Sequence, residues 1–107
     1  MTPSLPTDYL DYMQGRKPWE GFTREGDTPG CVVVWSLDQL DEFNLDYAVE
    51  ELAPGYIGFG GNGGGELLAF DRSGAVFMLP MIGLAADVAI KVAGSFTELL
   101  ARVETAA

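Results

Sequence analysis

A β-hairpin is predicted by the segment Glu66-Leu67-Leu68-Ala69-Phe70-Asp71-Arg72-Ser73-Gly74-Ala75-Val76-Phe77-Met78-Leu79. Two apolar runs, Leu67–Phe70 and Ala75–Leu79, flank the tetrapeptide at residues 71–74. Asp at the first position and Gly at the fourth are the preferences of a type I turn, and a short turn between two strands joins them antiparallel. We therefore expect this part of the chain to form an antiparallel sheet.

Two further strands are expected upstream of the hairpin. Residues 56–60 predict a strand between the turn at Pro54-Gly55 and the glycine-rich loop of residues 61–65. Residues 31–35, Cys-Val-Val-Val-Trp, have the length and β-branched composition of a strand buried on both faces. Cys31 is the only cysteine, so it cannot form an intramolecular disulfide, and we expect it to be a small buried apolar residue.

Helix signals occur near both ends of the chain and in its middle. Residues 7–14 place apolar side chains at helical spacing, with Thr7 as the expected N-cap. Residues 36–39, Ser-Leu-Asp-Gln, match a capping box and predict a helix from Leu37 to about Phe43. A second capping box at residues 95–98 begins a C-terminal helix whose apolar face consists of Phe96, Leu99, Leu100 and Val103.

The remaining segments carry weaker signals. Residues 15–30 predict a loop with one irregular strand near Phe22, and residues 44–54 fit either a second helical turn or an extended connection. The order of elements is not the steady alternation of a doubly wound fold. We predict an α+β fold, a mainly antiparallel sheet with helices packed on one face, in a single domain over residues 1–107.

The composition is strongly acidic. Sixteen Asp and Glu residues against six Lys and Arg residues give a formal net charge of −10. This charge repels phosphate backbones and anionic membranes and attracts basic partners, although it also fits a surface that is merely solvated. Direct nucleic-acid binding is therefore not expected, and the lack of a signal sequence or a long apolar stretch favours a cytoplasmic protein that is not membrane-bound.

The residues that most enzymes and metal sites need are missing or badly spaced. The chain has no histidine, which excludes the commonest general base and zinc ligand. Gly58, Gly60 and Gly63 match G-x-G-x-x-G, but a strand rather than a helix is expected after them, and Glu66 stands where a phosphate-binding loop would end in Lys. We expect turn-forming and close-packing glycines here, no cofactor, no metal site and no catalytic residue.

Acidic residues are concentrated in one segment, residues 36–54, which we call the acidic segment. It contains six acids and no base: Asp38, Asp41, Glu42, Asp46, Glu50 and Glu51. Two interpretations are open, a docking face for a basic partner or a solvated helix surface. We take these six residues as the candidate partner-binding site.

Six short motifs, in order and spacing along the chain, carry a resemblance to a known family. They are Leu5-Pro6 with Tyr9-Leu10, then residues 34–40, 53–60, 63–71, 80–84 and 95–100. Together they make the chain similar to the SUKH superfamily of Smi/Knr-like proteins from Leu5 to Val103. The motif residues Trp35, Gly60, Gly64 and Phe96 have the character of core and turn positions rather than of a binding site.

The resemblance implies an α+β domain and a protein that works by binding other proteins. Bacterial members are mostly immunity proteins that neutralise a cognate polymorphic toxin, often a nuclease or a deaminase, and fungal relatives regulate cell-wall synthesis as interaction proteins. Neither group provides a catalytic residue. The expected partner is thus a basic toxin that contacts the acidic segment. The alternatives are a regulatory or scaffold module without a toxin, and an enzyme or small-ligand binder that uses the glycine loop. The sequence indicates no oligomeric state.

Overall fold

A computed structural model describes residues 3–24 and 26–106 of the chain. The elements are, in order, α1 (Thr7–Met13), β1 (Trp19–Thr23), β2 (Cys31–Val34), α2 (Leu40–Asp46), α3 (Val49–Leu52), β3 (Ile57–Gly61), β4 (Glu66–Phe70), β5 (Val76–Pro80), β6 (Ile90–Ala93), α4 (Phe96–Arg102) and β7 (Val103–Ala106). Short 3-10 turns at Leu37–Gln39 and Ala86–Val88 precede α2 and β6. In the described part of the chain, no helix has the length and apolar character needed to cross a membrane.

The strands form one seven-stranded sheet in the order β6-β5-β4-β3-β2-β1-β7, and each described pair of neighbours is antiparallel. In the predicted hairpin, Phe70 of β4 lies opposite Val76 of β5. The carbonyl of Asp71 accepts the N–H of Gly74 at 3.1 Å, and the Asp71 carboxylate accepts the N–H of Ser73 at 2.9 Å. The hairpin and the α+β class with its mainly antiparallel sheet are confirmed.

An aromatic cluster joins α1 and α4 to the central strands. The buried ring of Tyr9 makes edge contacts with Phe59, Phe70 and Phe96, at centroid distances of 5.5, 5.1 and 5.1 Å. Phe59 and Phe70 stack at 4.2 Å. All four side chains are fully buried, so this cluster forms the centre of the hydrophobic core.

The first turns of α1 and α4 are linked by a polar contact as well. The carboxylate of Asp8 accepts the backbone N–H of Thr97 at 3.0 Å and its hydroxyl at 2.8 Å. The hydroxyl of Ser95 accepts the N–H of Glu98 at 3.0 Å, which is one of the two bonds of the predicted capping box. The carboxylate of Glu98 accepts the N–H of Gly94 instead of that of Ser95. Two of the free N–H groups at the start of α4 are therefore satisfied, one of them by a residue from the other end of the chain.

The glycine-rich stretch includes the end of β3 and the loop to β4, and its glycines allow backbone conformations and contacts that a side chain would prevent. A Cβ on Gly60 would lie 2.0 Å from the carbonyl oxygen of Val33 in the neighbouring strand. Gly63 and Gly65 adopt φ angles of +75° and +96°, and the side chain of Asn62 accepts the N–H of Gly64 at 2.8 Å. The prediction of turn-forming and closely packed glycines is confirmed.

Strand β2 differs from its prediction. Val32 and Val34 are fully buried, whereas Cys31 and Val33 are only half-buried, so burial on both faces was a wrong expectation, as was full burial of Cys31. Side chains alternate between the two faces of a strand, and one face of β2 is incompletely covered. Partial burial, and secondarily the charge of Glu20, still raises the pKa of the Cys31 thiol, which keeps it protonated at neutral pH.

The start of α1 and the end of α4 also differ from their predictions. The N-cap of α1 is Pro6 rather than Thr7, which is the first helical residue. Helix α4 ends at Arg102, because Val103, predicted on its apolar face, instead begins β7 and pairs with Thr23 of β1. Strands β6 and β7 had no sequence prediction, whereas the irregular strand expected near Phe22 is β1.

Candidate functional site

The acidic segment forms a 3-10 turn followed by the two short helices α2 and α3. The N–H of Ser36 donates to the side chain of Gln39 at 3.0 Å, and the Ser36 hydroxyl donates to the carboxylate of Asp38 at 2.5 Å. The helix predicted from Leu37 therefore begins as a 3-10 turn and continues to Asp46. Of the two structures considered for residues 44–54, the helical one is correct for most of the segment.

Two residues, Tyr47 and Ala48, separate the two helices. Ala48 has φ 55° and ψ 42°, the left-handed conformation, and its N–H donates to the carbonyl of Leu45 at 3.0 Å. This conformation costs a residue with a Cβ roughly 1–2 kcal/mol. The left-handed conformation of Ala48 interrupts the helix between α2 and α3. Side chains of both helices line a common depression.

That depression is a cleft of about 330 Å³ bounded by α2, α3 and the beginning of β3. Leu45, Ala48, Tyr56 and Ile57 contribute apolar atoms to its walls. Leu45 is 80% exposed, which leaves its side chain available for contact. We call this depression the α2–α3 cleft.

The six predicted site residues are all exposed, but the structure brings only some of them together. Asp41, Glu50 and Glu51 line the α2–α3 cleft. The other three acids, Asp38, Glu42 and Asp46, do not line it. The ion pairs of the described residues join Arg24 to Glu104 and Arg102 to Glu98, so none of the six carboxylates forms an ion pair within residues 3–24 and 26–106.

Asn44, which also lines the cleft, attaches helix α2 to strand β3. Its amide group donates to the carbonyls of Leu40 and Gly58, both at 2.8 Å, and its carbonyl oxygen accepts the N–H of Gly58 at 2.7 Å. Asn44 thus satisfies both backbone groups of Gly58, as a neighbouring strand would, close to the point where β2 ends. The cleft wall is held to β3 by these hydrogen bonds.

Aromatic contacts hold helix α2 and the cleft residue Tyr56 in place. Trp35 packs against Phe43 at a centroid distance of 4.6 Å and stacks nearly parallel to Tyr47 at 6.2 Å. Tyr56, in the cleft wall, makes an edge contact with Phe77 at 5.3 Å. Burial, and secondarily the charge of Asp71, raises the pKa of Tyr56, so its hydroxyl stays neutral throughout the physiological pH range.

Several cleft residues escaped the sequence prediction. Leu45, Ala48, Tyr56 and Ile57 are ordinary apolar residues in the sequence, and nothing there says which of them remains exposed. One signal was available: Leu45 lies four residues after Asp41, so the two share the outward surface of α2. The contribution of β3 to the cleft could be found only from the tertiary structure.

The glycine motif does not have the geometry of a phosphate-binding loop. The glycines are followed by strand β4, so no helix N-terminus stands behind them to hold an anion. The side chain of Asn62 instead donates to the carboxylate of Glu66 at 2.9 Å, so the residues on either side of the glycines are joined by a hydrogen bond. The described residues contain no group of three or more His, Cys, Asp or Glu side chains placed to hold a metal ion.

A comparison with protein-family models identifies a family for this chain. The family model of the SMI1 / KNR4 family (SUKH-1) matches residues 3–102, which is nearly the whole chain and includes the complete α2–α3 cleft. None of the curated proteins matches the chain.

Proposed function

Because the chain belongs to the SMI1 / KNR4 family (SUKH-1), we propose that it is a non-enzymatic, cytoplasmic, single-domain immunity protein that neutralises a cognate toxin by direct binding. The toxin is a basic protein, a nuclease or a deaminase, and the acidic segment is its contact surface. The observation that carries this proposal is the exposed acidic surface of α2 and α3, which surrounds a partly apolar cleft and has no intramolecular counter-charge among the described residues.

We propose that the protein covers the active site of the toxin or an adjacent surface, and that its negative charge guides the association. A nuclease that binds a polyanion carries a basic groove, and an exposed row of carboxylates presents the same sign of charge as phosphates. Long-range attraction raises the association rate, and desolvated contacts at the centre of the interface determine the dissociation rate. Leu45 and the apolar cleft walls provide surface for such a centre.

Support for a binding role rather than a catalytic one comes from the chemistry of the side chains. The chain has no histidine. The six carboxylates of the acidic segment are exposed to solvent. Surface carboxylates of this kind suit electrostatic recognition.

The test uses the toxin that we expect an adjacent gene to encode. Co-expression of the two proteins is expected to restore growth that the toxin alone abolishes, and the purified pair is expected to form a stable complex. Association should slow about tenfold or more between 0.02 and 0.3 M salt because screening weakens the attraction. Growth arrest that persists despite folded, abundant protein would refute the immunity function.

A matched pair of charge reversals tests the contact surface. Asp41→Lys with Glu50→Lys changes two acids in the cleft, whereas Asp11→Lys with Asp87→Lys changes two exposed acids on α1 and on the 3-10 turn before β6. Both variants alter the net charge equally. We expect rescue to fail only with the first. If both variants rescue growth and binding is indifferent to salt, the acidic contact surface is wrong, while the immunity function stands.

The family also accommodates a second role, a regulatory or scaffold module of the Smi/Knr type that has no toxin. Co-purification of the same several host proteins from different growth conditions, together with the absence of rescue, would favour that role. The cleft variants would then be tested against those proteins.

A further inference from the structure

The α2–α3 cleft combines two kinds of surface within one small volume. Its apolar walls come from Leu45, Ala48, Tyr56 and Ile57, and carboxylates come from α2 (Asp41) and from α3 (Glu50 and Glu51). A volume of about 330 Å³ is at the lower end of the range for ligand pockets. The cleft is therefore large enough for one long side chain with part of its backbone, and too small for a protein segment with its own core.

The charge of the cleft determines what kind of side chain fits. Its three carboxylates have no ion-pair partner within residues 3–24 and 26–106. The whole chain carries a net charge of −10, which adds to the local negative potential. A cation is favoured by this potential, and apolar walls favour a cation that has an aliphatic stem.

Arginine meets both requirements better than lysine does. Its guanidinium has five N–H donors in a plane and can bond two carboxylates at once, whereas the ammonium of lysine is compact and strongly hydrated. The carboxylates here belong to two different helices, so a spread donor set can reach more than one of them. The stem of arginine, like that of lysine, packs on aliphatic and aromatic groups.

We propose that the α2–α3 cleft receives an arginine side chain of the partner protein, with its stem on the apolar walls around Leu45 and its guanidinium between Asp41 and the carboxylates of α3. This inference rests on the proposed function only in supposing a protein partner. The test below needs no toxin, so its failure is distinguishable from failure of the immunity function.

The probe is the peptide acetyl-Gly-Gly-Arg-Gly-Gly-amide, added to isotopically labelled protein in low salt. We expect saturable NMR shifts, with a millimolar Kd, at the methyl groups of Leu45, Ala48 and Ile57. A matched peptide with citrulline, which has the same shape but no charge, should bind at least about fivefold more weakly, since it forms no ion pair. A lysine peptide should also bind more weakly than the arginine peptide.

Two double variants of equal charge provide the control. Asp41→Asn with Glu50→Gln removes two carboxylates from the cleft, and Glu42→Gln with Asp46→Asn removes two from the same helical segment outside it. All four side chains are exposed, so both variants should fold, which circular dichroism verifies. The first variant is expected to weaken binding of the arginine peptide about fivefold or more, and the second less than twofold.

Three results would overturn the proposal. They are shifts spread over the surface instead of the cleft, equal weakening by the two double variants, and equal binding of the citrulline or lysine peptide.

Discussion

Gly60 lies too close to the backbone of β2 to accommodate a side chain. Its missing Cβ allows strand β3 to approach β2, since a Cβ there would lie 2.0 Å from the carbonyl oxygen of Val33. We expect Gly60→Ala to lower the free energy of unfolding by about 3 kcal/mol or more, because the two strands must separate. Gly64→Ala is the control, since its Cβ would meet nothing closer than 3.6 Å. Urea unfolding measures both, and equal stability of the two variants would contradict the close approach.

Tyr9 is a second residue with a definite prediction. Its ring is central to the core, but its hydroxyl oxygen is buried without a hydrogen-bond partner among the described residues. Tyr9→Phe keeps the ring contacts and removes an unsatisfied polar group, so it should stabilise the protein by about 1 kcal/mol. Tyr9→Leu should instead destabilise it by about 2–4 kcal/mol through loss of the ring contacts. A clear destabilisation by Tyr9→Phe in urea unfolding would show that the hydroxyl has a partner.

The same burial predicts a response to alkaline pH. Burial raises the pKa of Tyr9 well above its ordinary value of 10.0. Above pH 10 the unfolded chain ionises this phenol while the folded protein does not, so stability falls, by up to about 1.4 kcal/mol per pH unit. Tyr9→Phe should remove this part of the loss, and the smaller part due to Tyr56 should remain. An unchanged slope of unfolding free energy between pH 10 and 11 would argue against the burial of the hydroxyl.

At the scale of the elements, the contact between α2 and β3 depends on Asn44. Its amide donates two hydrogen bonds to backbone carbonyls, one of them to Gly58. Asn44→Asp loses these donors and places a negative charge beside two carbonyl oxygens, so we expect a loss of about 3 kcal/mol at pH 7. Because position 44 is half-buried beside these carbonyls, protonation of the introduced carboxyl should restore part of the stability at acidic pH.

The control for Asn44 is Asn62→Asp in the glycine loop. Asn62→Asp keeps the hydrogen bond that the side chain accepts from the N–H of Gly64 and loses the one that it donates to the carboxylate of Glu66. The loop is bordered by exposed glycines, where water can replace the lost partner. We expect a loss of about 1 kcal/mol there. If Asn44→Asp costs no more than Asn62→Asp in urea unfolding, the anchoring of α2 by Asn44 is refuted.

For the molecule as a whole, the net charge of −10 predicts an opposite effect of salt on folding and on partner binding. Repulsion among sixteen acids opposes the compact state, and salt screens it. The free energy of unfolding should therefore rise by about 1 kcal/mol between 0.01 and 0.2 M NaCl, while association with a basic partner slows. Glu42→Gln with Asp46→Asn should reduce the salt dependence of folding. A protein that loses stability as salt is added would contradict this electrostatic account.

The hairpin turn, the glycine loop and the capping boxes could be predicted from the sequence because each depends on a few neighbouring residues. Asp71 and Gly74 make their turn through contacts within four residues, and Ser95 binds the N–H of Glu98 three positions later. The concentration of acids in one segment is likewise visible in the sequence, and so is the absence of histidine. These properties need no knowledge of distant parts of the chain.

Other features of the fold depend on contacts between residues that are far apart in the sequence. Val103 leaves the helix to pair with Thr23, Asp8 caps a helix 89 residues away, and Asn44 reaches Gly58 across 14 residues. Each contact competes with local preference, and packing free energy outweighs propensities of a few tenths of a kcal/mol. The α2–α3 cleft arises in the same way, since three of six equivalent acids meet Tyr56 and Ile57 only after α3 turns at Ala48 and β3 packs beside it.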